Sequence, residues 1–181
     1  AADNFVPKEE IEGFKKEIEI IASMESLASS DGEVLSQILL DFSSATGFEY
    51  FALADGEGLT TRDSDISQRE YFQTALAGKT AMSSPLVNKV DNSVTIMMAA
   101  PIKSNKGSYK VIYGGILYDT FSQVINNIQI GEGGYAFVVD KAGTIVAHPD
   151  GNLVAEMRNY IDEAATDKSY ESLGKVLARM I

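Results

Sequence analysis

The residues with the means to do chemistry gather between Ser67 and Asp119. The run Ser67-Gln68-Arg69-Glu70-Tyr71-Phe72-Gln73-Thr74-Ala75-Leu76-Ala77-Gly78-Lys79 sets an arginine beside aromatics on a short helix. An apolar strand into Ala100-Pro101-Ile102 follows, and Gly114-Gly115-Ile116-Leu117-Tyr118-Asp119 ends a second strand in an acid. A guanidinium takes a carboxylate, an aspartate takes an ammonium, and rings wall a small pocket. Such a set can hold a small zwitterion. Arg69 is the candidate for the carboxylate and Asp119 for the amine. Tyr71, Phe72, Met98 and Tyr113 are the candidate walls.

Each residue also has a plainer use. Arg69 can sit on a surface helix, paired with Glu70 or Asp65. Asp119 can cap a helix over Thr120–Ile130, or contact a ligand, or do both. Tyr71 and Phe72 are adjacent, so they do not point the same way from a helix: one is expected in the pocket and one in the core. Met97, Met98 and Tyr113 are strand residues that a core uses equally well. Alternation puts Ile96, Met98 and Ala100 on one face, with Tyr113 able to oppose them.

The elements that must position these residues follow from periodicity. Ile11, Phe14, Ile18, Ile21, Met24 and Leu27 recur at helical steps. Pro7 and the acids after it suit a first turn, and Gly13 interrupts the pattern. Ser29-Ser30-Asp31-Gly32 breaks the helix, and Val34, Leu35, Ile38, Leu39 and Phe42 give a second. Phe48 to Leu53 reads as a strand, with Asp55-Gly56-Glu57-Gly58 as turn chemistry and Leu59-Thr60-Thr61 as a returning arm. Ser67 is the expected cap of a helix over Gln68–Ala77, with Gly78 ending it. Ser93–Ala100 and Lys110–Tyr118 are the long strands, joined by a turn through 104–108. A short amphipathic helix is expected over Phe121–Ile130. Tyr135–Asp140 and Thr144–His148 form a hairpin about Lys141-Ala142-Gly143, and 153–181 is charged and mostly helical. Helices, then an antiparallel sheet with an inserted helix, make an α+β fold.

Composition narrows the function. The 181 residues suit one domain, or one domain plus part of another. A hydrophobic fraction of 45% is enough for a core and sets the chain apart from disordered sequences. The formal net charge of −11 argues against nucleic acid and against adhesion to anionic membranes. With no cysteine there is no disulfide and no thiolate metal site. His148 is the single histidine, at a strand end before Pro149-Asp150, and reads as structural rather than as a metal ligand. No nucleophile elbow, Walker sequence or dinucleotide fingerprint occurs, and Gly131-x-Gly133-Gly134 lacks the helix that a phosphate cradle needs. Neither a metal nor a cofactor is expected, and the chain does not read as an enzyme. No run approaches a membrane span or a signal peptide. The opening Ala1-Ala2-Asp3-Asn4 lacks a Met, so the chain reads as a segment whose flanking membrane helices lie outside it.

Two blocks carry a family resemblance. The first is Arg69-x-Tyr71-Phe72 with Ala77-Gly78-Lys79, Ala100-Pro101-Ile102, Gly114-Gly115-Ile116 and Asp119. The second is Gly131-x-Gly133-Gly134-Tyr135-Ala136-Phe137-Val138-Val139-Asp140-x-x-Gly143-x-Ile145-Val146-Ala147-His148-Pro149-Asp150. Together they resemble the double Cache (dCache) sensor domain, PAS-like in fold. Such domains are the extracytoplasmic ligand-binding parts of bacterial chemoreceptors, histidine kinases and diguanylate cyclases.

The resemblance implies a layout and a site. An N-terminal helical stalk would span 1–41, a membrane-distal PAS-like module 42–130, and a partial membrane-proximal module 131–181. Amino-acid-binding members are similar to one another in an Arg-x-Trp-Tyr segment and a later Asp. Arg69 matches the Arg and Asp119 the Asp, while Tyr71 stands for the Trp and Phe72 for the Tyr. A further Tyr expected just before the Arg is missing, since Ser64 and Asp65 stand there. The implied protein is a non-enzymatic extracytoplasmic sensor of an amino acid or a related carboxylate or amine, most naturally in chemotaxis. It would have flanking transmembrane helices, a cytoplasmic output domain and a homodimer through the N-terminal helix. The loop 83–91 would close over the ligand. A PAS-like interaction module without a ligand is the contrasting reading, and it expects an exposed Arg69.

Overall fold

The computed structural model describes residues 8–29, 32–87, 93–104, 106–118, 134–135, 137–140 and 142–181. They divide into two units. The first is made of the described residues of Pro7–Leu86 and Thr95–Leu117. The second is made of the described residues of Tyr118–Ile181 with Val87, Ser93 and Val94.

In the first unit, the helical periodicity at the start of the chain becomes α1 (Lys8–Ala22), α2 (Glu25–Ser29) and α3 (Gly32–Ala45). Ile18, Ile21, Leu27, Leu35 and Leu39 are buried as the period expects, while Val34 is exposed. The expected limit between stalk and module, at 41/42, falls inside α3.

The sheet is antiparallel. It contains β1 (Tyr50–Asp55), β2 (Ala81–Met82), β3 (Leu86–Val87), β4 (Val94–Pro101) and β5 (Tyr109–Leu117). The order is β1-β5-β4-β2, with β3 also paired to β4. β5 therefore lies between β1 and β4, and its residues set the rows that cross the sheet. The returning arm after β1 is reduced to single bridges, Ala54 to Thr60 and Leu59 to Asp65.

One helix crosses the second face, α4 (Glu70–Leu76). It starts two residues later than expected, and Ser67 does not cap it. The Ser67 N–H donates to Asp65 Oδ1 at 2.8 Å, closing a turn of its own. Arg69 takes the N-cap position in an extended conformation, with no side-chain cap. The helix ends as expected at Gly78, in the left-handed region with φ 94°. The Lys79 N–H donates to Thr74 O and the Gly78 N–H to Ala75 O, a Schellman pair that satisfies two terminal carbonyls.

The second unit holds the expected hairpin as β6 (Val138–Val139) and β7 (Ile145–Ala147), antiparallel. It is followed by α5 (Gly151–Ala155), α6 (Tyr160–Glu163), a 3-10 turn over Lys168–Tyr170, and α7 (Glu171–Met180). Asp150 and Asn159 cap α5 and α6 by accepting from the N–H groups of Asn152 and Ile161. The helix expected over Phe121–Ile130, most of Gly131–Gly134 and the module boundary at 130/131 lie outside the described residues.

Candidate functional site

Strand alternation sends the two faces of the sheet to different partners. On one face Leu53, Met98, Ala100, Ile112 and Ile116 pack against Ile18, Ile21, Leu27, Leu35 and Leu39 from the three leading helices. On the other, Ala52, Ala54, Met97, Ala99, Val111 and Tyr113 pack against Ile66, Tyr71, Phe72 and Ala75. The candidate site is on this second face.

Its centre is Tyr113, only 3% exposed. In the row across the sheet its neighbours are Ala52 on β1 and Ala99 on β4, both fully buried. Two methyl-sized neighbours leave room for one phenol ring. The next row repeats the device. Gly115 lies between Tyr50 and Met97, and the Tyr50 hydroxyl reaches Met97 Sδ at 3.7 Å. A Cβ on Gly115 would stand 2.8 Å from Tyr50 Cε1, so the ring depends on the glycine. The rings of Tyr50 and Tyr113 meet edge-on at 6.4 Å, and those of Tyr113 and Tyr71 are tilted at 6.5 Å.

Tyr71 and Phe72 are both buried in the same cluster. Adjacent residues are about 100° apart on a helix, and the stripe a helix presents to a sheet is about that wide, so both fit beneath α4. The expected division between pocket and core does not hold. Met98 departs from expectation in the opposite sense. Its row partner is Gly114, and it lies on the face closed by the leading helices, away from Tyr113. Alternation places Met97 on the tyrosine face instead.

Arg69 is exposed. It forms no ion pair with Glu70 or Asp65 among the described residues, and its charge acts on the phenol of Tyr71. Burial pushes the Tyr71 hydroxyl up to about 12, the Tyr113 phenol adds to this, and Arg69 pulls the other way. Burial likewise raises Tyr50, helped by Tyr113 and opposed by Arg62. Among the described residues the Tyr71 and Tyr113 hydroxyls make no hydrogen bond, and the one fully buried side-chain oxygen without a partner there is Glu17 Oε2 on α1 rather than a phenol. Asp119 lies outside the described residues, as do 88–91 of the expected closing loop. Ser83 is tied to β4, its N–H donating to Met97 O and its Oγ accepting from the Met97 N–H.

The sequence reading missed Tyr50 and Arg62. The guanidinium carbon of Arg62 lies 4.3 Å from the centre of the Tyr50 ring. Tyr50 left a signal, since it alternates with Phe51 in a strand opposite a Gly-Gly pair. Arg62 left none, being one polar residue in a polar loop.

His148, in the second unit, is 7% exposed. Its N–H donates to the Tyr118 hydroxyl, which donates in turn to His148 O. The Asp150 N–H donates to His148 Nδ1, a bond that needs the neutral ring, and burial holds the imidazole below its ordinary value. Among the described residues no cluster of His, Asp and Glu is placed to hold a metal.

A buried phenol cluster beneath a short helix, beside a guanidinium without an acidic partner among the described residues, sits here on an antiparallel sheet with helices on both faces, an α+β domain. The chain matches the dCache model, described as a Cache domain, over residues 8–177. It belongs to the Cache domain family. It is 27% identical over 154 residues to the methyl-accepting chemotaxis protein PscA of Pseudomonas syringae pv. tomato, covering 78% of this chain and 24% of that protein. It is 26% identical over 140 residues to the methyl-accepting chemotaxis protein PctB of Pseudomonas aeruginosa, covering 72% of this chain and 22% of that one. The chain thus spans about a quarter of the length of these curated relatives. Among solved structures it is similar to the ligand-binding domain of the amino acid chemoreceptor PctB of Pseudomonas aeruginosa PAO1 in complex with L-Arg. That match has a TM-score of 0.66 at 25% identity and covers 85% of this chain and 68% of that one. No helix among the described residues is long and apolar enough to cross a membrane.

Proposed function

We propose that this chain is the extracytoplasmic ligand-sensing domain of a bacterial transmembrane chemotaxis receptor, without catalytic activity. The ligand is an amino acid or a related carboxylate or amine. It is held on the α4 face of the sheet, with Arg69 on its carboxylate, Asp119 on its ammonium, and Tyr71, Phe72 and Tyr113 around its body. Met98 is not in this set. The observation that carries the reading is the Tyr71–Tyr113 pair, buried with hydroxyls unbonded among the described residues, next to Arg69. A ligand would give the phenols hydrogen-bond partners and the guanidinium an opposite charge.

The wider organisation belongs to the same proposal. The first unit is the membrane-distal module, and 131–181 opens the membrane-proximal one. Membrane helices outside this chain carry the signal to a cytoplasmic output domain, and the N-terminal helix supports a homodimer. Ligand binding closes the segment after Ser83 and biases output by its differential affinity for two states of the domain.

One observation favours a second reading. Arg69 is exposed, as a PAS-like interaction module without a ligand would have it. A thermal-shift screen against amino acids, small carboxylates, polyamines and purines separates the two. A ligand at about a hundred times its dissociation constant adds about 2.7 kcal/mol of stability. The expected result is a shift with an amino acid that Arg69→Ala abolishes while the unliganded melt stays in place. Undiminished affinity in Arg69→Ala would remove Arg69 from the site. No shift with any class would favour the interaction module.

A further inference from the structure

Arg62 places its guanidinium on the Tyr50 ring, and no part of the proposed ligand site uses it. Its base is fixed. The Thr61 N–H donates to Leu53 O, the Arg62 N–H donates to Thr60 Oγ1, and Thr60 Oγ1 meets Ser64 Oγ at 2.8 Å. Asp63 turns the loop with φ 53°. The arginine is thus delivered to β1 by a short loop bonded to that strand. It makes no ion pair among the described residues, and its contact is with the Tyr50 ring.

Tyr50 needs such a contact. It is half-buried on an edge strand, and its row partner is a glycine. It also borders a groove of about 450 Å³ shared with Leu35, Leu39, Ser43 and Arg62, space into which an unheld ring can turn. A cation on the ring face restrains that rotation through its attraction to the π-system. The restraint passes on by contact, from the edge of Tyr50 to Tyr113 and from Tyr113 to Tyr71.

We propose that Arg62 is a positioning residue for the α4 face: by lying on Tyr50 it fixes the series Tyr50–Tyr113–Tyr71 and so the placement of the two phenols offered to the ligand. The proposal rests on the ligand-site reading for its functional meaning. Its geometry is testable without a ligand. Arg62 itself touches no ligand and acts through the rings.

The experiment has two arms on the same protein. In the first, tyrosine-ring carbon signals are recorded by NMR without ligand, assigned by single Tyr→Phe changes. Arg62→Met should move the signals of Tyr50, Tyr113 and Tyr71, and Arg62→Lys, which keeps a cation, should move them less. In the second, the amino acid giving the largest thermal shift with the unmutated protein is titrated by calorimetry. Arg62→Met should weaken it by about two- to fivefold, the size of an exposed cation–π contact. Tyr50→Phe, which keeps the ring, should preserve affinity, and Tyr50→Leu should match Arg62→Met.

Movement of the Tyr50 signal alone in Arg62→Met would overturn the proposal. So would unchanged affinity in that variant, or a lower melting temperature with unchanged affinity, which marks a loop anchor only. If no amino acid binds the unmutated protein, the ligand reading fails, and the ring signals still decide whether Arg62 positions Tyr113 and Tyr71.

Discussion

The sheet of the first unit shows two unlike faces built on the same strands. On the face toward α1, α2 and α3, rows of Leu, Ile, Met and Phe are closed by hydrocarbon from three helices. On the face toward α4, alanines and a glycine surround Tyr50 and Tyr113, and one seven-residue helix adds Tyr71. The buried residues that close the first face are hydrocarbon or thioether, so they can be packed at high density. The second holds phenol oxygens that hydrocarbon does not satisfy. The comparison teaches that one sheet can carry a hydrocarbon side, which holds the fold, and a phenol side, which is the side we propose for binding. β5 serves both, because its alternate residues, Ile112 and Tyr113, point opposite ways.

Variants that strike one face and spare the other test that division. The largest effect is expected from Leu53→Ala. Leu53 is fully buried in the helix-side core, and the change should lower unfolding free energy by about 2–5 kcal/mol in urea titration. Affinity of the molecules that remain folded should not change. A loss of affinity without loss of stability would break the division.

The glycine pair sharpens it. A Cβ on Gly114 would stand 2.8 Å from the Tyr50 carbonyl oxygen and 2.5 Å from Phe48 Cδ1. Backbone yields less readily than a side chain, so Gly114→Ala should destabilise by about 1–3 kcal/mol. On Gly115 the nearest atom is in the Tyr50 ring, which can swing aside. Gly115→Ala should therefore affect thermal stability less than Gly114→Ala and ligand affinity more. Equal losses of stability would make the tyrosine face as structural as the other.

The effect narrowest in its conditions is confined to alkaline pH. The Tyr71 hydroxyl is raised from 10.0 to about 12, so the fold prefers its neutral form. The folded state keeps a proton that the unfolded state loses in this range. This part of the stability is whole below about pH 10 and falls toward pH 12 at about 1.4 kcal/mol per pH unit. Tyr71→Phe should flatten that fall and remove one late-ionising phenol from an absorbance titration. An unchanged titration would mean that burial does not hold the Tyr71 phenol neutral.

Much of the fold was legible because it obeys local rules. Ile18, Ile21, Leu35 and Leu39 lie where a 3.6-residue period puts them, and Gly78 ends α4 because its left-handed backbone suits glycine. β4 and β5 were found to within a residue, since an apolar run with β-branched residues ends at turn chemistry on both sides. The start of α4 was misplaced because Asp65 captured the Ser67 N–H, a contest between two local turns that composition does not decide. The site was only partly legible. Tyr71, Phe72 and Tyr113 fall in one cluster, Met98 on the opposite face of the sheet, and Asp119 outside the described residues.

By itself the sequence determined the class of fold, the family and the residue types available for a site, because period, turn chemistry and motif are properties of neighbours along the chain. The tertiary structure alone decided which face each strand residue serves. The pairing of Ala99 and Ala52 with Tyr113 fixes which side of the sheet makes room for a ring. It also alone brought Arg62 onto Tyr50, a contact set by a loop folding back on its strand and by a missing Cβ on a third. Such a contact depends on the register between strands and on free space, and neither quantity is written in the order of residues.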